Sequence, residues 1–182
     1  MWKKIVLTSI VVIAAIVAVF CVVVAFQTED FKITRSATID APPSMVFDHL
    51  DDFHKWESWS PWAKIDPAMK TTYSGPAKGV GASYAWAGNS EAGEGKMTIL
   101  ESHPPNHLKV DLEFNAPFAA RNIIEFGLAT DADKTNVTWT MTGKNNFFMK
   151  AFSLIANMDH LVGADFEKGL AQLKQTVEAD KR

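Results

Sequence analysis

The chain has 182 residues, 47% hydrophobic and 21% charged, with 18 Lys and Arg against 21 Asp and Glu for a net charge of −3. No Lys/Arg-rich block follows residue 4, which argues against a nucleic-acid partner, since such partners are held largely through phosphate contacts. A single cysteine, Cys21, excludes an intramolecular disulfide, a Cys-x-x-Cys zinc site and a dithiol redox pair.

From Ile5 to Phe26 no residue is charged and only Thr8 and Ser9 are polar. At about 1.5 Å per helical residue this stretch reaches roughly 33 Å, enough to cross a hydrocarbon core of about 30 Å. Its β-branched runs, Ile10 to Ile13 and Val22 to Val24, disfavour helix in water, but in lipid the backbone must satisfy its own hydrogen bonds. Residues 5–26 are therefore expected to form a transmembrane helix. Lys3, Lys4 and the amino terminus precede it and Gln27-Thr28-Glu29-Asp30 follow. The positive-inside bias makes residues 1–4 cytoplasmic and the bulk of the chain extracytoplasmic, periplasmic in a bacterium. The competing reading is a cleaved signal peptide, with Val23-Val24-Ala25 as its cleavage site; the usual apolar core of such a peptide, about 7 to 15 residues, is shorter.

Beyond a short tether at 27–30, residues 31–182 have the size of one domain, with no repeat or low-complexity run. Phe31, Ile33, Ala37 and Ile39 alternate with Lys32, Thr34, Ser36 and Thr38, predicting a half-buried strand whose apolar face is interrupted by Arg35. Ala41-Pro42-Pro43 ends it, and residues 44–51 follow as a short helix with Pro near its start. A second short helical piece runs through 52–59. Strands are then expected near 69–74, 81–87, 94–102, 107–115, 120–130 and 135–143, separated by Gly, Pro, Asn and Asp clusters. The short connections imply antiparallel neighbours, and Leu108, Val110, Leu112 and Phe114 against Lys109, Asp111 and Glu113 imply one dry and one wet face.

The last segment, 147 to about 179, is predicted as one long helix: Phe148, Phe152, Ile155, Val162, Phe166, Leu170, Leu173 and Val177 recur at helical spacing. Its partner would be the dry face of the sheet. The expected fold is α+β, a curved antiparallel sheet wrapped on a long C-terminal helix and preceded by one transmembrane helix.

That order, together with Trp56-Glu57-Ser58-Trp59-Ser60-Pro61-Trp62, Ile39-Asp40-Ala41-Pro42-Pro43, Tyr73-Ser74-Gly75-Pro76, Gly79-Val80-Gly81-Ala82, Trp86-Ala87-Gly88-Asn89 and Gly163-Ala164-Asp165-Phe166-Glu167-Lys168-Gly169-Leu170, resembles the START-like (SRPBCC) superfamily in its polyketide cyclase/dehydrase branch. The resemblance spans 31–180 and implies the helix-grip fold, with a cavity between sheet and long helix for an apolar or amphipathic small molecule. It implies no single reaction.

On that reading the bulky inward residues Tyr73, Trp86, Met97, Phe114 and Trp139 are candidate ligand contacts from the sheet, and Phe152 and Val162 from the helix. Core packing would explain each of them singly. Trp59 belongs to a trio, Trp56, Trp59 and Trp62, that reads either as a hydrophobic lid or as a pocket mouth near the bilayer. Arg35 and Asn122 are candidate inward polar groups, Arg35 needing either Asp159 or a ligand head group unless its charge reaches solvent. Gly163 and Gly169 in a helix interior point to close approach, a bend, or space for a ligand.

No catalytic constellation is expected. His49 and His54 lie near Asp48, Asp51 and Asp52, and His160 follows Asp159, but a solvated charged face explains them. His103 and His107 have the spacing of a helical metal pair, and Pro104-Pro105 between them forbids the helix. No nucleophile elbow, His-Glu-x-x-His, phosphate loop or dinucleotide fingerprint occurs. No cofactor or metal is therefore expected. The leading reading is a membrane-tethered, non-catalytic module that binds a hydrophobic or lipid-like molecule. The alternatives are a cyclase or dehydratase using Arg35, Tyr73 or Asp159, and a structural envelope protein with a closed core.

Overall fold

The computed structural model describes residues 2–181; Met1, the Lys3 side chain and Arg182, to which the sequence reading assigned the start of the topology and the end of the domain, lie outside the described residues. By Cα proximity the chain divides into two units, 1–31 with 145–157, and 32–144 with 158–182.

The first unit contains helix α1, Trp2–Ala25, in which Lys4–Ala25 is long and apolar enough to cross a membrane. It starts earlier than the charge pattern suggests and stops before Phe26. The unit also holds α4, Phe147–Ser153, capped by Asn146, whose side chain accepts from the Met149 N–H at 2.9 Å. Asn145 donates its N–H to the Glu29 carbonyl at 2.7 Å, and the buried Lys150 ammonium lies 3.9 Å from the Glu29 carboxylate.

The second unit is a helix-grip fold. Its sheet has seven antiparallel strands in the order β1-β7-β6-β5-β4-β3-β2: β1 Asp30–Ile39, which starts in the first unit, β2 Lys70–Ser74, β3 Ser83–Ala87, β4 Glu94–His103, β5 His107–Ala116, β6 Ala120–Asp131 and β7 Lys134–Lys144. Helix α2, Pro43–Leu50, a 3₁₀ turn at Phe53–Lys55, and α3, Trp56–Trp59, separate β1 from β2. The long helix α5 runs Met158–Asp180.

The strands fall where alternation and turn clusters place them, and the expected long C-terminal helix is present as α5, with a later start. A single helix from 147 is corrected to two, α4 and α5, parted at 154–157. Phe148, Phe152 and Ile155, placed by periodicity on the stripe facing the sheet, are exposed on or just after α4, while Phe166, Leu170, Leu173 and Val177 of α5 are buried. Helical spacing continues across the break because apolar residues serve two different surfaces.

Both helix glycines mark close approach. A methyl at Gly163 would overlap the Arg35 guanidinium, and one at Gly169 would sit 2.9 Å from the Trp139 ring and 3.0 Å from Pro61. Trp139 is fully buried and stacks on Phe166 with ring centroids 4.2 Å apart, so it has little freedom to retreat. Gly169→Ala should gain about 1 kcal/mol of helix propensity and still destabilise the fold by roughly 1–3 kcal/mol through overpacking. Denaturant unfolding of the variant monitored by near-UV circular dichroism checks this; an unchanged or raised midpoint contradicts it.

Candidate functional site

Antiparallel register places side chains in rows across the sheet. One row on the inner face, the face that α5 covers, runs Tyr73, Tyr84, Met97, Leu112, Asn122 and Gly143. The next runs Trp86, Gly95, Phe114 and Ala120. Four of the predicted contacts, Tyr73, Met97, Asn122 and Trp86, and a fifth, Phe114, thus come from distant parts of the chain onto two adjacent rows. Trp86 fits because Gly95 opposite has no side chain: any Cβ there would overlap the Trp86 ring and the Glu113 carbonyl. The indole donates to the Ala92 carbonyl at 3.0 Å and meets Phe114 edge to face at 5.7 Å.

Burial is uneven along this face. Towards its other end, Phe126 and Trp139 are fully buried with Trp59 and Phe166 in a continuous aromatic cluster that Trp56 and Trp62 complete. Trp59 and Trp56 donate to the His49 and Leu50 carbonyls, so the tryptophan motif is packed core for these two rings. Tyr84, Trp86, Met97 and Phe114, by contrast, are only half-buried, and Tyr73 is exposed. Val162, in the second turn of α5, is half-buried as well. Phe152 belongs to the first unit and is exposed.

Arg35 and Asp159 pair with each other. Arg35 Nη1 and Nη2 donate to the two Asp159 carboxylate oxygens at 3.1 Å each, Nη2 also to the Asp159 carbonyl, Nη1 to the Thr34 carbonyl, and Nε to Glu167 at 2.7 Å. Gly163 makes room for this guanidinium. The hydrogen bond from Arg35 holds the Asp159 carboxyl below its ordinary range. Arg35 thus has its donors engaged by its own chain, and the Asp159 side chain is 57% exposed.

Sequence reasoning missed Tyr84. Its signal was present, since Tyr84 and Trp86 share period-two spacing on one strand and hence one face. Tyr84 stacks with Trp86 at 5.9 Å and approaches Tyr73 at 5.3 Å, and burial pushes its phenol up to about 12. Burial also raises Tyr73.

Among the described residues, two buried side-chain atoms have no hydrogen-bond partner: His49 Nδ1 and Trp139 Nε1. The Trp139 donor is on the inner face; leaving a buried N–H unpaired costs about 1–3 kcal/mol. The other titratable candidates are engaged elsewhere. Lys55 and Lys78 pair with Asp48, His54 Nδ1 meets Asp52 at 2.9 Å, and His49 Nε2 lies 3.1 Å from Asp180, with burial lowering the His49 pKa. His103 and His107 are not on a helix, as the prolines required, yet they face each other across a hairpin.

The polyketide cyclase / dehydrase and lipid transport family matches residues 30–178. The chain belongs to that family. Solved structures of similar fold include a protein from Chromobacterium violaceum, 16% identical with TM-score 0.59 over 81% of this chain and 96% of that one. The Aha1 dimer from Colwellia psychrerythraea is 19% identical with TM-score 0.56, covering 81% of this chain and 96% of that one. Ara h 8.0201 is 11% identical with TM-score 0.58, covering 82% of this chain and 99% of that one. These likenesses show the fold alone. No curated protein matches the sequence. Family membership implies hydrophobic ligand binding for the domain, and does not name the ligand.

The chain has two tyrosines, so the burial of Tyr84 is directly readable. Because its phenol stays neutral up to about 12, tyrosinate absorbance should rise in separate steps, and Tyr84→Phe should delete the upper one. A single step for both rings near the ordinary value of about 10 would place Tyr84 in open solvent.

Proposed function

We propose that the protein is a membrane-tethered, non-catalytic carrier or receptor for a hydrophobic or lipid-like small molecule, lodged between the β2–β5 part of the inner face and α5. The observation that carries the reading is the half-open aromatic surface of Tyr84, Trp86, Met97 and Phe114 beside a closed aromatic core on the same face. Apolar binding surfaces combine such walls with a few placed polar groups. Here these are Asn122 and the Tyr73 and Tyr84 hydroxyls, which share one row of the inner face. Trp59 would belong to the closed core beside this wall, Val162 would close it from α5, and the Arg35–Asp159 pair would fix the start of α5 against β1.

Two features of the first unit support the tether. The described part of α1 offers 22 residues, Lys4–Ala25, long and apolar enough to span a bilayer, and a helix held there would place the domain outside the cytoplasm with Lys3 and Lys4 inside. Phe147, Phe148, Phe152, Leu154 and Ile155 are exposed in the same unit, a concentration of aromatic and branched residues suited to the lipid interface. Anchoring beside lipid raises the effective concentration of apolar ligands. Phe152 would then act in the interface rather than in the pocket.

The test is photolabelling of the full chain in phosphatidylcholine vesicles with a diazirine-bearing fatty acid, followed by peptide mapping. Label should enter peptides of β3, β4 and β5 as well as α1, and Trp86→Ala should cut the β-strand label about ten-fold, equivalent to roughly 1.4 kcal/mol of affinity. Label confined to α1 and α4 would refute the pocket while leaving the tether intact.

A further inference from the structure

The hairpin between β4 and β5 carries a group of side chains that the ligand-binding reading does not use. Glu101, His103 and His107 each offer one ligand atom, and these atoms lie within 4.8 Å of one another. His103 and His107 are direct register partners, with near-parallel rings 6.0 Å apart. They project from the outer face, since His107 alternates with the inward Leu108 along β5.

We propose that Glu101, His103 and His107 form a binding site for a borderline divalent transition-metal ion, zinc or copper. The donor set fits: imidazole suits both ions, and three protein ligands leave a position for solvent or an incoming donor. Ligands about 2.0–2.1 Å from a tetrahedral zinc lie roughly 3.3 Å from one another, so closing the site needs a contraction that side-chain rotation can supply. The Glu101 carboxylate divides its work. Oε1 accepts from Lys109 Nζ at 3.1 Å, while Oε2 faces His103 Nε2 at 3.8 Å. Lys109 therefore orients the carboxylate through one oxygen and leaves the other to the metal, in the manner of an outer-shell partner. Glu125, 3.9 Å from Lys109, shares the ammonium.

The backbone frame is set before any ion arrives. Asn106 N–H closes the turn on the His103 carbonyl at 2.9 Å, and the Asn106 carbonyl accepts from Leu128 N–H of β6 at 2.8 Å, fixing the tip to the sheet. Opposite His107 on β6 stands Gly127, where an added Cβ would meet nothing within 4 Å. That side of the imidazole is open to an ion and its waters.

The full chain in detergent, free of any histidine tag, would be titrated with zinc chloride alone by calorimetry. The site requires saturable one-to-one binding. His103→Ala and His107→Ala should each weaken it at least about ten-fold, with Glu101→Gln also weaker and His160→Ala unchanged. Copper(II) on the unmutated chain should give an electron paramagnetic resonance spectrum with two nitrogen donors, a readout independent of how the variants fold. Absence of saturable binding, an isotherm unchanged in both histidine variants, or a copper spectrum without nitrogen donors would overturn the proposal.

Discussion

The structure depends on one constraint: a seven-stranded sheet whose side chains alternate between faces, irregularities in β4 aside, presents a broad apolar surface that has to be covered. Helix α5 and the tryptophan segment cover it completely around Trp59, Phe126, Trp139 and Phe166, which are at or near full burial. Around Tyr84, Trp86, Met97 and Phe114 they do not. The two regions are built from the same residue types and differ in what lies over them. Exposed aromatic area of this kind forgoes stabilisation, of the order of 25 cal/mol per Å², that burial would supply, and is the ordinary mark of a surface kept for a partner.

The closeness of α5 to the sheet rests on absent side chains as much as on present ones. Gly169 lets the helix sit against Trp139 and Pro61, and Gly163 lets Arg35 lie across it. Arg35 then binds two carboxylates of the same helix, Asp159 and Glu167, and so pins the helix start to β1. A sequence with alanine at both positions would have better local helix propensity and a worse fit, which is the direction in which tertiary packing overrides propensity.

The strands were legible because alternation and turn chemistry agree near the boundaries: Pro104-Pro105-Asn106, Pro117 and Ala132-Asp133 all fall between strands. The face assignments followed, and with them most of the inner-face residues. Register was not legible. Nothing in one strand states that Tyr73, Met97 and Asn122 share a row, and the pairing that brings His103 opposite His107 depends on the hairpin, whereas their spacing suggested only a helix. The break at 154–157 was hidden by a helical period that continues through it, although Asn146 and Asn157 are both residues favoured just before a helix. Arg35 was correctly paired with Asp159 as one of its options, while Glu167 two turns on was not considered.

The account stands on the claim that the β3–β5 portion of the inner face is open to an apolar guest while the rest of that face is closed. Two methionines sample the two portions: Met97, half-buried in the open row, and Met141, 8% exposed in the closed one. Hydroxyl-radical footprinting of the full chain, delipidated and held in amphipol, measures both at once. Met97 should oxidise faster than Met141 and become protected when oleate is added, with Met141 unchanged. Equal, slow oxidation of the two methionines, or a Met97 rate indifferent to oleate, would contradict it.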